Sequence, residues 1–146
     1  MFKIRGVTLE DLDHIYPLAK GLATSFNVEK ESFSKLFQKM LTDENILVLV
    51  AETDELVGYI MGYVHPAFYA NGLIAWVEEL YVSPSIRGTG IGKALMESFE
   101  AEVQLRGCKL ISLSTRRAGD FYEALNYEKS ATYYKKTFKR IGKTAG

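Results

Sequence analysis

Residues Leu73 to Val82 read as a β-strand, a helix follows from about Gly90 to Arg106, and "SPSIRGTGIGK" joins them with glycines at 88, 90 and 92. A strand that enters a helix through closely spaced glycines commits the chain to an α/β arrangement, with backbone N–H groups gathered at a helix N-terminus. Glycine suits such a turn because no side chain blocks an approaching anion and because it takes positive φ without strain. Two phosphate motifs do not fit. A P-loop, G-x-x-x-x-G-K-[ST], meets Arg87 in place of its first glycine and Ala94 in place of its hydroxyl. The dinucleotide fingerprint G-x-G-x-x-G finds its third glycine one residue early, after a strand that lies mid-chain. Two readings remain: a site for a pyrophosphate-like anion, or a glycine turn that only packs a helix tightly on a sheet.

The flanking pattern supplies the sheet. "FKIRGV" alternates as a first strand, and Thr8 with Asp11 forms a capping-box-like start for a helix from Asp11 to Leu22. In "EKESFSKLFQKML", Phe33, Leu36, Phe37 and Met40 share one helical stripe, which core packing explains. "NILVLVAET" and "ELVGYIMGYVH" are β-rich runs joined across Thr53-Asp54-Glu55 as a hairpin, and an Asn71-Gly72 turn leads into "LIAWVEELYV". Gly107 caps the long helix; "KLISLST" follows as a strand, "GDFYEAL" as a short helix, and "YEKSATYYKKTF" as one bent strand or two short ones. Hairpins early and strand-helix crossovers late give a mixed sheet with helices on its faces, an α/β (α+β) fold. The 146 residues read as one domain, 1–146, with about 140–146 as a flexible tail.

Charge and cysteine usage exclude several partners. Eighteen basic residues balance eighteen acidic ones, so no nucleic-acid footprint is expected, and Lys135, Lys136, Lys139 and Arg140 read as a solvated strand end. The lone Cys108 cannot form an internal disulfide and reads as a small buried residue. The N-terminus lacks a signal-peptide run and no stretch approaches roughly eighteen unbroken apolar residues, so a cytoplasmic protein with no membrane partner is expected. No cluster has metal-ligand spacing, and no metal is expected to be required.

"VSPSIRGTGIGKALM" closely resembles motif A of the GNAT superfamily of acyl-CoA-dependent N-acyltransferases, [QR]-x-x-G-x-[GA], through Arg87, Gly90 and Gly92. "AGDFYEALNYE" is similar to the family's motif B through Ala118, Phe121 and Tyr122, and the resemblance is strongest from Glu78 to Tyr127. It implies the GNAT fold: a mixed, mostly antiparallel sheet flanked by helices, with a splayed strand pair, "LIAWVEELYV" and "KLISLST", forming an acetyl-CoA cleft. By that resemblance, Arg87, Gly88, Thr89, Gly90, Ile91, Gly92 and Lys93 hold the pyrophosphate. Leu80, Tyr81 and Val82 lie along the pantetheine arm, the backbone of Leu80 and Val82 bonding it like an extra strand, and Thr115 and Tyr122 complete the cofactor contacts. Two positions depart from the pattern: Thr115 stands where many relatives carry asparagine, and Asn126-Tyr127 replaces Gly-Phe. Asparagine tolerates positive φ, so Asn126 can serve as the capping residue.

Acetyl transfer to an amine needs a base for the ammonium proton and an acid for the departing thiolate. The resemblance assigns the acid to Tyr122; without it, Phe121 and Tyr122 read equally well as core aromatics. Glu78 and Glu79 are the candidate bases, and strand alternation turns them to opposite faces unless a bulge intervenes. In families resembling this one the proton-handling residue often lies an even number of positions before the first pantetheine-binding residue, which favours Glu78 and keeps Glu79 in reserve. Ordered water is the alternative to both. The acceptor is expected among Phe26, His65, Phe68 and Tyr69, an aromatic rim of low charge, although His65 also reads as a plain strand-end residue. Several stretches loosely resemble small-molecule acetyltransferases such as those for aminoglycosides and aminoalkylphosphonates. The expected function is direct acetyl transfer from acetyl-CoA to a primary amine in a ternary complex, since no acyl-enzyme nucleophile is evident. A protein lysine or N-terminal amine is the rival acceptor, a non-catalytic CoA-binding sensor is the rival class, and edge strands near the C-terminus allow a homodimer.

Overall fold

The computed structural model describes residues 1–139 and divides the chain into two compact units, Met1–Leu113 and a second that begins at Ser114. The expected tail at about 140–146 lies outside the described residues. In the first unit the order is β1 (Lys3–Gly6), α1 (Leu12–Leu22), α2 (Lys30–Leu41), β2 (Ile46–Glu52), β3 (Leu56–Ala67), β4 (Gly72–Val82), α3 (Ile91–Leu105) and β5 (Ile111–Leu113). The strands form one sheet in the order β1-β2-β3-β4-β5, antiparallel except for the parallel β4-β5 pair.

Alternation along β3 divides the core between the two faces of this sheet. Tyr59 packs with Ile15 and Leu18 of α1, Phe37 of α2 and Val50 of β2. Gly58 and Gly62, one and three residues away, point to the other face, where a methyl built on them would meet Leu95 and Phe99 of α3. The long helix is therefore opposite α1 and α2, and its Leu95, Met96 and Phe99 are fully buried. The sheet's first strand is fixed to the start of α1 by charge. Arg5 reaches both oxygens of Asp11 at 2.9 Å and Glu52 of β2 at 3.0 Å, while the Asp11 carboxylate also accepts the Thr8 amide at 2.8 Å. The expected capping box is thus present, with a short 3-10 turn, Leu9–Asp11, before the helix proper. Gly107, at φ 91°, ends α3 as expected, with the Cys108 amide reaching back to the Val103 carbonyl at 3.0 Å.

The second unit holds α4 (Gly119–Ala124). Asn126 adopts φ 72° and the Tyr127 amide bonds the Tyr122 carbonyl at 3.0 Å, so asparagine does close the helix where glycine is usual. The sequence expectation fails at "YEKSATYYKKTF". Residues 128–139 carry no helix or strand, and Tyr133, Tyr134 and Phe138 are exposed. Every ladder bond of a strand is made to another segment, so alternation alone cannot form one, and no ladder takes up this stretch among the described residues. No helix among the described residues is long and apolar enough to cross a membrane.

Candidate active site

The pairing of β3 with β4 slips by one residue in mid-strand. Gly62 opposes Val77 and Met61 opposes Glu79, which leaves Glu78 as the extra residue of a β-bulge. The bulge changes which way the acidic pair points. Trp76 opposes Tyr63, on the same face as Tyr59, and its Nε1 donates to Glu78 Oε1 at 3.0 Å. On that face Tyr59 donates its hydroxyl to Glu79 Oε1 at 2.7 Å. The exception to strand alternation is the one realised: the extra residue lets neighbouring glutamates turn to one side. Their surroundings differ. Glu78 is exposed, whereas Glu79 is largely buried, and burial raises its carboxyl above the usual range, opposed by the Tyr59 bond and reinforced by the Glu78 charge. Burial, then the neighbouring Glu79 charge, pushes the Tyr59 phenol up as well, so it stays a donor.

The bulge also determines which amides face outward. Ala75 donates to Leu110 on the β5 side at 3.0 Å, but Ser83 donates to Val57 on the β3 side at 2.8 Å. Positions 75 and 83 would face the same way in a regular strand, so the extra residue reverses the phase, and Leu80 and Val82 turn their backbone groups away from β3. β5 pairs only with Ala75, Trp76 and Val77. From Glu78 to Val82 that edge of β4 has no strand partner among the described residues.

After β4 a 3-10 turn, Pro84–Ile86, leads to the glycines. Gly88 and Gly90 take φ 83° and 92°, and nothing lies within 4 Å of where their side chains would be. Thr89 Oγ1 closes the turn on the Ile86 carbonyl at 2.7 Å. The Ala94 amide reaches the Gly90 carbonyl at 3.0 Å, leaving the N–H groups of Ile91, Gly92 and Lys93 at the helix start without intrahelical partners. Open space over Gly88 and Gly90, next to amides without intrahelical partners at a helix N-terminus, suits a pyrophosphate. Arg87 is held beside it, Nε on the Val82 carbonyl at 2.8 Å and its guanidinium 5.1 Å from the centre of the Tyr81 ring.

The remaining expected residues are more scattered. In the second unit Thr115 spends its hydroxyl on the Ala118 amide at 3.0 Å, and Tyr122 is raised above its ordinary pKa by burial, with Phe121 and Tyr127 edge-on to its ring. Phe26 is exposed in the connection between α1 and α2. His65 stacks obliquely 5.6 Å from Tyr63 on β3. Phe68 and Tyr69 are exposed at the tip of the β3-β4 hairpin, roughly 20 Å along the strand from Glu79 at about 3.3 Å per residue. The structure does not bring Phe68 and Tyr69 together with the acidic pair. No group of three His, Cys, Asp or Glu with metal-binding geometry occurs among the described residues. Tyr59 and Trp76 were absent from the sequence-based set; their link to the glutamates comes from pairing register, which no local motif encodes.

The model of the acetyltransferase (GNAT) family matches residues 9–127. The chain belongs to the GNAT family. It is 31% identical over 133 residues, 88% of this chain and 86% of its relative, to the aminoalkylphosphonate N-acetyltransferase of Salmonella typhimurium. Two solved structures share the fold. Glucosamine-6-phosphate N-acetyltransferase from Arabidopsis thaliana has a TM-score of 0.85 and 21% identity, over 95% of this chain and 99% of that one. An aminoglycoside N-acetyltransferase in complex with CoA has a TM-score of 0.81 and 19% identity, over 93% and 95%. As a GNAT protein the chain is an acyltransferase, an N-acetyltransferase of amines, in a family that uses acetyl-CoA.

Proposed function

We propose that this enzyme passes the acetyl group of acetyl-CoA directly to the primary amine of a small molecule while both are bound. Acetyl-CoA supplies an acyl carbon activated as a thioester. The amides around Gly88, Gly90 and Gly92 hold its pyrophosphate, and Leu80 and Val82 bond its arm along the open edge of β4. Glu79 takes the proton of the acceptor ammonium, whose pKa of about 10 must be overcome before nitrogen can attack. Tyr122, kept protonated by its burial, donates to the departing sulfur. Glu78, exposed and tethered by Trp76, contributes charge beside the base.

The observation that carries this reading is Glu79 itself: a largely buried carboxyl above its usual pKa, within the stretch of β4 that β5 leaves unpaired. A carboxyl raised toward neutrality is a better proton acceptor than one in water. The aminoalkylphosphonate N-acetyltransferase, similar along most of both chains, supports a small and anionic amine as acceptor. The family's co-substrate supports a cytoplasmic setting.

The test is thiol release from acetyl-CoA across aminoalkylphosphonates, amino sugars, polyamines, aminoglycosides and lysine or N-terminal peptides, with Tyr122→Phe and Glu79→Gln alongside. The expected outcome is release with a small amine, reduced at least tenfold in kcat by Tyr122→Phe. Release with peptides alone would transfer the reading to a protein acceptor, and silence in protein that binds acetyl-CoA would favour a sensor.

A further inference from the structure

Glu79 has one oxygen committed and one free. Oε1 accepts the Tyr59 hydroxyl, and no hydrogen bond engages Oε2 among the described residues. The donor is fixed because Tyr59 is only 3% exposed and its ring is packed among Ile15, Leu18, Phe37 and Val50. Such a phenol has no second place to go, and burial keeps its proton on it. It cannot relay the proton of Glu79 but can hold the carboxylate. The bulge at Glu78 is what makes the meeting possible: it brings Glu79 opposite Met61, within reach of the tyrosine two positions earlier on β3.

We propose that Tyr59 is the positioning residue of the base: its hydroxyl fixes Oε1 of Glu79 and so presents Oε2 to the acceptor amine. The inference rests on the reading of Glu79 as that base. Other titratable groups acting on the pair are Glu78 and Tyr81, both of β4, and no charged side chain of α1 or α2 bonds to it among the described residues. Tyr59 and Glu78 therefore pull in opposite directions. The tyrosine's bond favours the carboxylate, and the neighbouring negative charge disfavours it. Removing the hydroxyl should raise the Glu79 pKa, whereas neutralising Glu78 should lower it.

The experiment is a 13C NMR titration of the Glu79 carboxyl in the ligand-free full chain, assigned by its disappearance in Glu79→Gln, for wild type, Tyr59→Phe and Glu78→Gln. Phenylalanine keeps the ring and its packing, and thermal melts check the fold. Tyr59→Phe should move the titration up by about one pH unit, and Glu78→Gln should move it down by a few tenths. With the best acceptor from the panel, the acid limb of kcat/KM should move in the same two directions, with KM for acetyl-CoA unchanged. A Glu79 titration unmoved in Tyr59→Phe overturns the inference alone. Full activity and an intact acid limb in Glu79→Gln overturn the base assignment, and the inference with it.

Discussion

Gly62→Ala tests whether the bulge depends on the close approach of three elements. A methyl on Gly62 would lie 2.5 and 2.9 Å from two ring atoms of Phe99 and would collide with the Trp76 carbonyl oxygen. Neither obstacle can yield cheaply. Phe99 is fully buried in the packing of α3 on the sheet, and the Trp76 carbonyl belongs to β4 immediately before the bulge. Overpacking of this kind costs about 1 to 3 kcal/mol, and a strained or broken ladder bond adds about 1. The alanine recovers about 0.4 to 1 kcal/mol through a less flexible unfolded chain. The net loss is about 2 to 3 kcal/mol, or a Tm lower by about 8 °C for a chain of this length. Gly6→Ala is the control: nothing lies within 4 Å of its added methyl, and it should stabilise by about 0.5 kcal/mol. Urea titrations with unchanged m-values, together with thermal melts, measure both. A Gly62→Ala protein within about 0.5 kcal/mol of wild type would refute the argument, because the core would then have the slack that the geometry denies it.

Gly90→Ala meets open space, so its cost is conformational: at φ 92° the substitution should lose about 1 to 2 kcal/mol and raise KM for acetyl-CoA roughly tenfold with kcat little changed, as steady-state kinetics would reveal. Asp11 is held below the usual carboxylate range chiefly by Arg5, so its contribution is complete above the unfolded pKa of about 4 and is lost as pH falls through the lower folded value. Asp11→Asn should therefore lower stability by about 2 kcal/mol at pH 7 and flatten its decline below pH 4, both readable from denaturation curves taken across pH.

Features encoded within a few residues were legible in the sequence. The β-rich runs "NILVLVAET" and "ELVGYIMGYVH" on either side of Thr53-Asp54-Glu55 gave a hairpin, Thr8 and Asp11 gave a helix start, Gly107 gave a helix end, and the spacing of Arg87, Gly90 and Gly92 gave the turn. Features that depend on pairing between distant segments were not. The bulge at Glu78 exists only in the register of β4 against β3, so the shared face of the glutamates and the Tyr59 bond were hidden. Likewise, "YEKSATYYKKTF" has the composition of a strand without a ladder to join. Phe68 and Tyr69 were grouped with the site by aromatic character, whereas the length of the hairpin carries them away from Glu79.

Three residues of β4 pair with β5, and from Glu78 to Val82 that edge has no strand partner among the described residues, although the Val82 carbonyl accepts the Arg87 side chain. An uncovered edge is a template for any extended chain, including one exposed by a neighbouring molecule of the same protein. In the proposed reading the natural occupant is the amide-bearing arm of acetyl-CoA, so cleft occupancy and colloidal behaviour are linked. On that reading the empty enzyme would be the form more prone to pair edge to edge.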